Sequence, residues 1–229
     1  MPRPAPAVAR RTPRPAAPGR VLDPRYARLV GGPAWAALPA AVRARFSKRL
    51  GPGDAAVYRG RVVHTRMNRA GRALAQLLRP IGAPLPLEAN NAGAAVVVSV
   101  TEDRHGGGQF WLRQYGRGGA HFPQVVRSTK RFTGPTGCEE WVSRWLGMRL
   151  RVRAVADGLV FESERYLLRA GALTLPLPGI LTPGALSVGH FDRGDGRFDF
   201  TLTLEHRWLG TLLDQRIRFQ DMQQTEAVP

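Results

Sequence analysis

Strict alternation in QFWLRQY (109–115) places Trp111, Arg113 and Tyr115 on one face of a strand, with a guanidinium set between two aromatic side chains. A cation on an apolar face is costly to bury alone, so it either meets a carboxylate of the chain or takes an anion from outside. Other segments repeat the pattern. In RFDFTLTLEHRW (197–208) the apolar set Phe198, Phe200, Leu202 and Leu204 carries His206 with it. In GLVFESERYLL (158–168) Leu159, Phe161 and Leu167 share a face with Ser163 and Arg165, and in FPQVVRSTKRF (122–132) Phe122, Val126 and Phe132 share one with Gln124, Ser128 and Lys130. Leu186 and Val188 bring His190, and Leu213, Ile217 and Phe219 bring Gln215. The candidate ligand-binding set is therefore Trp111, Arg113, Tyr115, Ser128, Phe161, Arg165, Phe200 and His206. In it Arg113 and Arg165, helped by Ser128 or His206, would hold the carboxylate or phosphate of a lipid-like ligand. The plainer reading pairs the two arginines with Glu88, Glu102 or Glu140, or leaves their heads in water at a rim.

Other chemistries find less support. The five histidines (His64, His105, His121, His190, His206) show no HxH, HxxxH or HExxH spacing, so no metal site is expected, and nothing implies a cofactor. His206, at the end of an apolar face, reads first as a satisfied core or rim residue. Cys138 is the only cysteine, which excludes an internal disulfide and a cysteine zinc site, and no G-x-S-x-G nucleophile elbow is present. The glycines at 106–108 and 116–119 fit neither phosphate-binding loop pattern and read as turns. Paired exposed aromatics of an RNA-binding sheet are missing as well.

The elements that must position these residues follow from the period of the pattern. Residues 57–67 read as a strand, and from residue 94 the period is two, with strands near 94–103, 109–116, 122–132, 148–156, 159–169, 185–192, 197–207 and 211–219. Residues 138–147 fit either a short helix or a bulged strand. Two helices precede the main run of strands. One has Pro39 at its first position, a Val42, Phe46, Leu50 stripe and Gly51 as terminator; the other is capped by Asn68, places Ala70, Leu74, Leu77 and Leu78 on one side and stops at Pro80. The expected fold is mostly β (α+β), a curved antiparallel meander of about nine strands in an up-and-down barrel or half-barrel, with the two helices packing on or closing it.

The chain has 229 residues, 34 Lys+Arg against 17 Asp+Glu, and a net charge of +17. Only Lys48 and Lys130 are lysine, and the first 28 residues hold seven arginines beside one acid, a net +6. Residues 1–22 read as a disordered Pro/Ala/Arg-rich tail, 23–220 as a single domain and 221–229 as a disordered C-terminal tail. Because the remaining arginines alternate with apolar residues, they decorate strand faces, and nucleic acid is disfavoured as a partner. Without an apolar run of about 18 to 20 residues, and with no export signal after Arg10-Arg11, a soluble, cytoplasmic protein is expected.

Several segments together resemble a known family. WLRQY (111–115) looks like the W-x-R-x-[FY] strand of the bacterial domain-of-unknown-function family DUF4166. DGLVFESERYLLRAGALTLPLPGILTP (157–183) is similar to its Gly-Leu strand followed by an arginine, a glycine and L-P-L-P-x-x-L-x-P. GRFDFTLTLEHRWLGTLLDQRIRF (196–219) resembles its closing hairpin, with Arg216-Ile217-Arg218 where the family tends to glycine. The resemblance spans roughly residues 35 to 220 and implies no established activity. It implies association with a dehydrogenase-like partner, since family members occur alone or after a dinucleotide-binding domain. In LPLPGILTP the prolines forbid a central strand, so Leu175, Pro176, Leu177, Pro178 and Ile180 are expected on an edge, a lid or a membrane-touching surface.

Three readings follow. A non-catalytic module would hold an apolar or anionic amphiphile in a cavity of roughly a few hundred Å³ lined by Trp111, Arg113, Phe161, Arg165, Phe200 and His206. A scaffold would have a packed barrel and exposed apolar area around 173–181. An enzyme on a hydrophobic substrate would need His206 or His190 within hydrogen-bond reach of Glu140, Ser128 or Tyr166.

Overall fold

A computed structural model of the protein describes residues 22–118, 121–171 and 173–221; the expected N-terminal tail, apart from Leu22, and residues 222–229 of the expected C-terminal tail lie outside them. Eleven strands follow the expected order: β1 (Ala56–Met67), β2 (Ala95–Asp103), β3 (Gly108–Tyr115), β4 (Gln124–Arg131), β5 (Glu139–Trp141), β6 (Leu146–Val155), β7 (Gly158–Ala170), β8 (Leu173–Pro176), β9 (Ala185–Gly194), β10 (Arg197–His206) and β11 (Gly210–Asp221). All pairings are antiparallel, in the order β6-β5-β4-β3-β2-β1-β11-β10-β9-β7, and β7 pairs back onto β6 to close a ten-stranded barrel. The two strands beyond the expected nine are short. β5 resolves the ambiguous 138–147 segment as a three-residue strand and a turn, and β8 is an edge strand on β7 that ends at Pro176.

Closure is imperfect at one place. β9 pairs with β7 only over Gly158–Glu162, and β8 takes over the same edge of β7 from Leu167. Between them the ladder splits, bridged by the Leu186 N–H donating to Ser163 Oγ at 2.9 Å.

Four short helices replace the expected two. α1 (Arg25–Val30) and α2 (Gly32–Ala36) are too short to show a period and lack a side-chain cap. α3 (Ala40–Phe46) starts one residue after Pro39 and stops at Phe46 rather than reaching Leu50. α4 (Arg69–Leu77) is capped as expected, Asn68 accepting from the Gly71 N–H at 2.8 Å, and a 3-10 turn at Arg79–Ile81 absorbs Pro80; Ala70, Leu74 and Leu78 pack on the core, but Leu77, expected beside them, faces outward.

The helices divide between the two barrel ends. α1–α3 plug one end: Tyr26 is 1% exposed, packs edge-on to Phe46, Phe132 and Phe161, and donates to Gln109 on β3. α4 covers the other, where Gly71 lies against the Leu212 backbone so closely that a Cβ would sit 1.9 Å from its carbonyl oxygen. Residues 83–87 complete this cover, fixed by Gln124, which donates to the carbonyls of Ala83 and Leu85 and accepts from the Leu87 N–H.

The outer wall accounts for much of the charge. Asp199 on β10 is covered by Arg193 of β9 and by Arg216 and Arg218 of β11, and Arg151 and Arg153 pair with Glu164 and Glu162. No helix among the described residues is long and apolar enough to cross a membrane.

Candidate functional site

Strand register builds a charged girdle across the barrel interior. β3 and β4 set Trp111 opposite Ser128, and β4 and β5 set Lys130 opposite Glu140. Lys130 Nζ donates to Glu140 Oε2 at 2.5 Å, while Arg113 donates to Glu140 Oε1 at 3.3 Å and to Ser128 Oγ at 3.2 Å. Lys130 also sits 5.1 Å from the Trp111 ring centre and 5.3 Å from that of Phe161. Burial alone would raise the Glu140 carboxyl, but Lys130 and Arg113 outweigh it, with hydrogen bonds from Lys130 and Ser128, and bring it to about 2. Arg113 therefore follows the plainer reading, with Glu140 as its partner.

The girdle borders two small cavities. One of about 40 Å³ adjoins the α1–α3 plug, walled by aromatics such as Tyr58, Trp111, Phe198 and Phe219, with Arg45, Lys48, Gln109, Arg113 and His190 among its polar members. The second, about 80 Å³, adjoins α4 and is lined mainly by aliphatic side chains, with Glu140 and Arg113 on its wall. Arg113, Tyr115 and Phe200 line both. In place of the expected single cavity of roughly a few hundred Å³ there are two small spaces bordered by these side chains, each with room for only a few waters.

Polar groups left without partners cluster beside the first cavity. Seven buried side-chain N or O atoms find no hydrogen-bond partner among the described residues, and three of them, Arg45 Nη1, Trp111 Nε1 and His190 Nδ1, belong to residues lining this one cavity. Arg45, on α3, spends its other nitrogens on Asp221 at 3.2 and 2.5 Å and stacks 3.8 Å from the Phe198 ring centre. His190 is ringed by Phe46, Trp111, Phe161, Phe198 and Phe200, with centroids 5.2 to 6.3 Å away. Burial first, then the charges of Arg45, Lys130 and Arg113, hold its pKa well below the usual 6.5, so its imidazole is neutral.

Six of the eight expected ligand residues therefore meet inside the barrel: Trp111, Arg113, Tyr115, Ser128, Phe161 and Phe200. Two do not. Arg165 is exposed, because a bulge lets Ser163 face Leu150 while Arg165 faces Arg149; the extra residue, Glu164, reverses the alternation and turns Tyr166 inward instead. His206 lies beyond a second irregularity at Leu204/Glu205 and accepts from the Trp208 N–H in a surface concavity of about 640 Å³ between 179–185 and 205–211. Phe122, also expected inside, precedes β4 and is 94% exposed.

Neither His190 nor His206 hydrogen-bonds to Glu140, Ser128 or Tyr166 among the described residues, and burial raises the Cys138 thiol to about 12. Sequence reasoning missed Arg45, which lies on a helix outside the strand alternation. Its signal was its place three residues after Val42 and one before Phe46, on the same buried helix face. Leu175, Pro176, Pro178 and Ile180 lie exposed on the β8 edge and the turn after it, as expected of an edge, while Leu177 is half-buried and packs on the core.

No curated protein and no solved structure shows significant similarity to the chain. Residues 38–219, which span all eleven strands except the last two residues of β11, match a family described only as a domain of unknown function, and the protein is therefore a member of the DUF4166 family.

Proposed function

We propose that the barrel is a non-catalytic module that binds an amphiphile, with an anionic head near Arg45, Trp111 and His190 and an apolar body extending toward the α4 end. The observation that carries this reading is the clustering of unpartnered polar atoms around one aromatic cavity. A buried polar group without a partner costs roughly 1–3 kcal/mol, and Arg45 Nη1 and Trp111 Nε1 can only donate, so a carboxylate, sulfonate or phosphate oxygen complements them. Around the girdle and the first cavity Arg45, Arg113 and Lys130 meet the carboxylates of Glu140 and Asp221, and Lys48 also lines this cavity. Rotation of Phe200 or Arg113, which line both cavities, would join the two spaces into one elongated site.

The test is titration with 1-anilinonaphthalene-8-sulfonate, an aromatic anion, followed by displacement with palmitate and mass spectrometry of the purified protein under native conditions. Binding that weakens about tenfold in Trp111→Phe, whose missing N–H is the only change to the donor set, supports the reading. A protein that takes up neither probe and carries no co-purifying small molecule refutes it.

A further inference from the structure

We propose that the α4 end of the barrel docks on an anionic lipid surface. Of the fifteen large hydrophobic side chains exposed among the described residues, most lie at this end, while Leu22, Val57 and Phe110 lie toward the end plugged by α1–α3. They sit on separate connections around the rim: Trp145 between β5 and β6, Ile180 and Leu181 between β8 and β9, and Trp208 and Leu209 between β10 and β11. Leu77, 74% exposed, adds the end of α4. A protein partner of ordinary shape would favour one contiguous patch, whereas a lipid surface meets apolar tips spread over several loops together.

Charge selects the kind of surface. Each exposed tryptophan carries a guanidinium on its ring, Arg144 at 4.0 Å from Trp145 and Arg207 at 3.5 Å from Trp208. This pairing suits the headgroup layer, where an indole lies at the level of the glycerol and a guanidinium reaches phosphate. Arg69, Arg72 and Arg79 of the α4 cap and Arg169 of β7 add cations, and Arg117 there is already paired with Glu88 at 2.8 Å, leaving Glu205 as the acid on these turns. An arginine excess next to apolar tips complements phosphatidylglycerol-like headgroups rather than neutral ones.

The second cavity gives the contact a purpose that rests on the proposed function. Its wall includes half-buried Leu78 and Pro84 of the α4 cap and Pro183 and Leu186 beside the split between β7 and β9, all at this same end. An amphiphile leaving a membrane would enter there head first, its anionic group passing on toward Arg45 and its apolar body coming to rest in the aliphatic cavity.

Sedimentation of the full chain with vesicles of phosphatidylcholine, alone or containing phosphatidylglycerol, tests the docking. Three variants keep the rim apart from the net charge: Trp145→Ala with Trp208→Ala, Ile180→Asp, and Arg10→Glu with Arg11→Glu and Arg14→Glu in the N-terminal segment. The expected result is binding that requires phosphatidylglycerol, falls roughly tenfold or more in both rim variants and persists in the N-terminal variant. Unchanged melting temperatures show that the rim variants fold. The proposal is overturned if no vesicle binds, if the N-terminal variant loses binding while the rim variants keep it, or if the rim substitutions instead dissociate a dimer of the protein. Probe displacement in vesicle-free solution reads the interior separately, so a failed rim and a failed cavity give different results.

Discussion

The barrel has two ends, and the chain closes them by different physics. At the α1–α3 end an aromatic side chain goes into the barrel: Tyr26 and Phe46 pack against Phe161 and Phe132, and the entry is clamped by Arg25, which donates to both Asp23 and Glu102. At the α4 end a helix lies on the barrel, held by a glycine contact and one asparagine cap, while its last turn and the neighbouring loops show leucine, isoleucine and tryptophan to solvent. The first arrangement converts apolar area into folding stability. The second leaves apolar area unused by folding, which is where an interaction with something outside the chain has room to act.

Truncation at the two ends should separate these roles most widely. Tyr26→Ala removes a side chain 1% exposed, three ring contacts and the hydrogen bond to Gln109, and should cost about 3–5 kcal/mol by denaturant titration. Leu77→Ala, equally apolar but 74% exposed, should change stability by less than about 0.5 kcal/mol. Similar losses at both positions would mean that the α4 end is as much a part of the core as the plug.

Smaller, and confined to the α4 end, is the effect of Gly71→Ala. The added methyl meets the Leu212 carbonyl at 1.9 Å, so α4 must lift from β11 at a cost of about 1–3 kcal/mol. Because the helix covers rather than fills the barrel, the expected signature is a protein that stays folded while the amides of 69–78 lose hydrogen-exchange protection. Cooperative loss of the whole sheet would instead make α4 an integral part of the barrel.

How much of this asymmetry the sequence showed depends on the element. Nine strands and the face each presents were legible because a half-buried antiparallel sheet writes its two sides as a period of two. That rule fails wherever one residue is inserted. Glu164 and the Leu204/Glu205 step leave no mark in composition, so Arg165 and His206 were placed inside when the bulges turn them out. α1 and α2 stayed hidden because five or six residues make no helical stripe, and their N-caps, Pro24 and Gly31, offer no side-chain acceptor. The edge character of LPLPGILTP was readable from Pro176, Pro178 and Pro183, since a ladder cannot take their missing donors in a central strand. Arg45 and His190 illustrate the remaining gap: the orphaned atoms beside the first cavity emerge only when α3 is docked on the barrel, a long-range fact no local pattern carries.

Acid sharpens the same comparison through two shifted interior groups that titrate on the acid side, His190 and Glu140. His190 is held neutral with its pKa below the unfolded value, by burial and by Arg45, Lys130 and Arg113 around it, against a smaller opposing pull from Glu140. Its contribution is fully present above about pH 6.5 and declines as pH falls below that, because the unfolded chain then binds a proton the folded chain refuses. Glu140, lowered to about 2, adds a second decline that starts below its ordinary 4.5. His190→Leu should therefore flatten the stability curve between about pH 6.5 and 5 and leave the lower decline in place. A His190→Leu curve parallel to the wild type would show that the imidazole protonates in the folded barrel, and with it that the interior is wetter than its aromatic walls imply.

The two rim tryptophans also contribute little to stability. Trp145 and Trp208 are 46% and 63% exposed, and each shares its ring with an arginine rather than with the core. Replacing both by alanine forfeits two exposed cation–π contacts, about 0.5–1 kcal/mol each at most, and part of that is returned by freeing the arginine side chains. A melting temperature near that of the wild type, beside a large loss of vesicle binding, would place their free energy outside the fold, in the contact with lipid. If instead the double variant melts much earlier, the tryptophans serve the barrel, and the contrast between a closed end and an interactive end dissolves into two ends that are both structural.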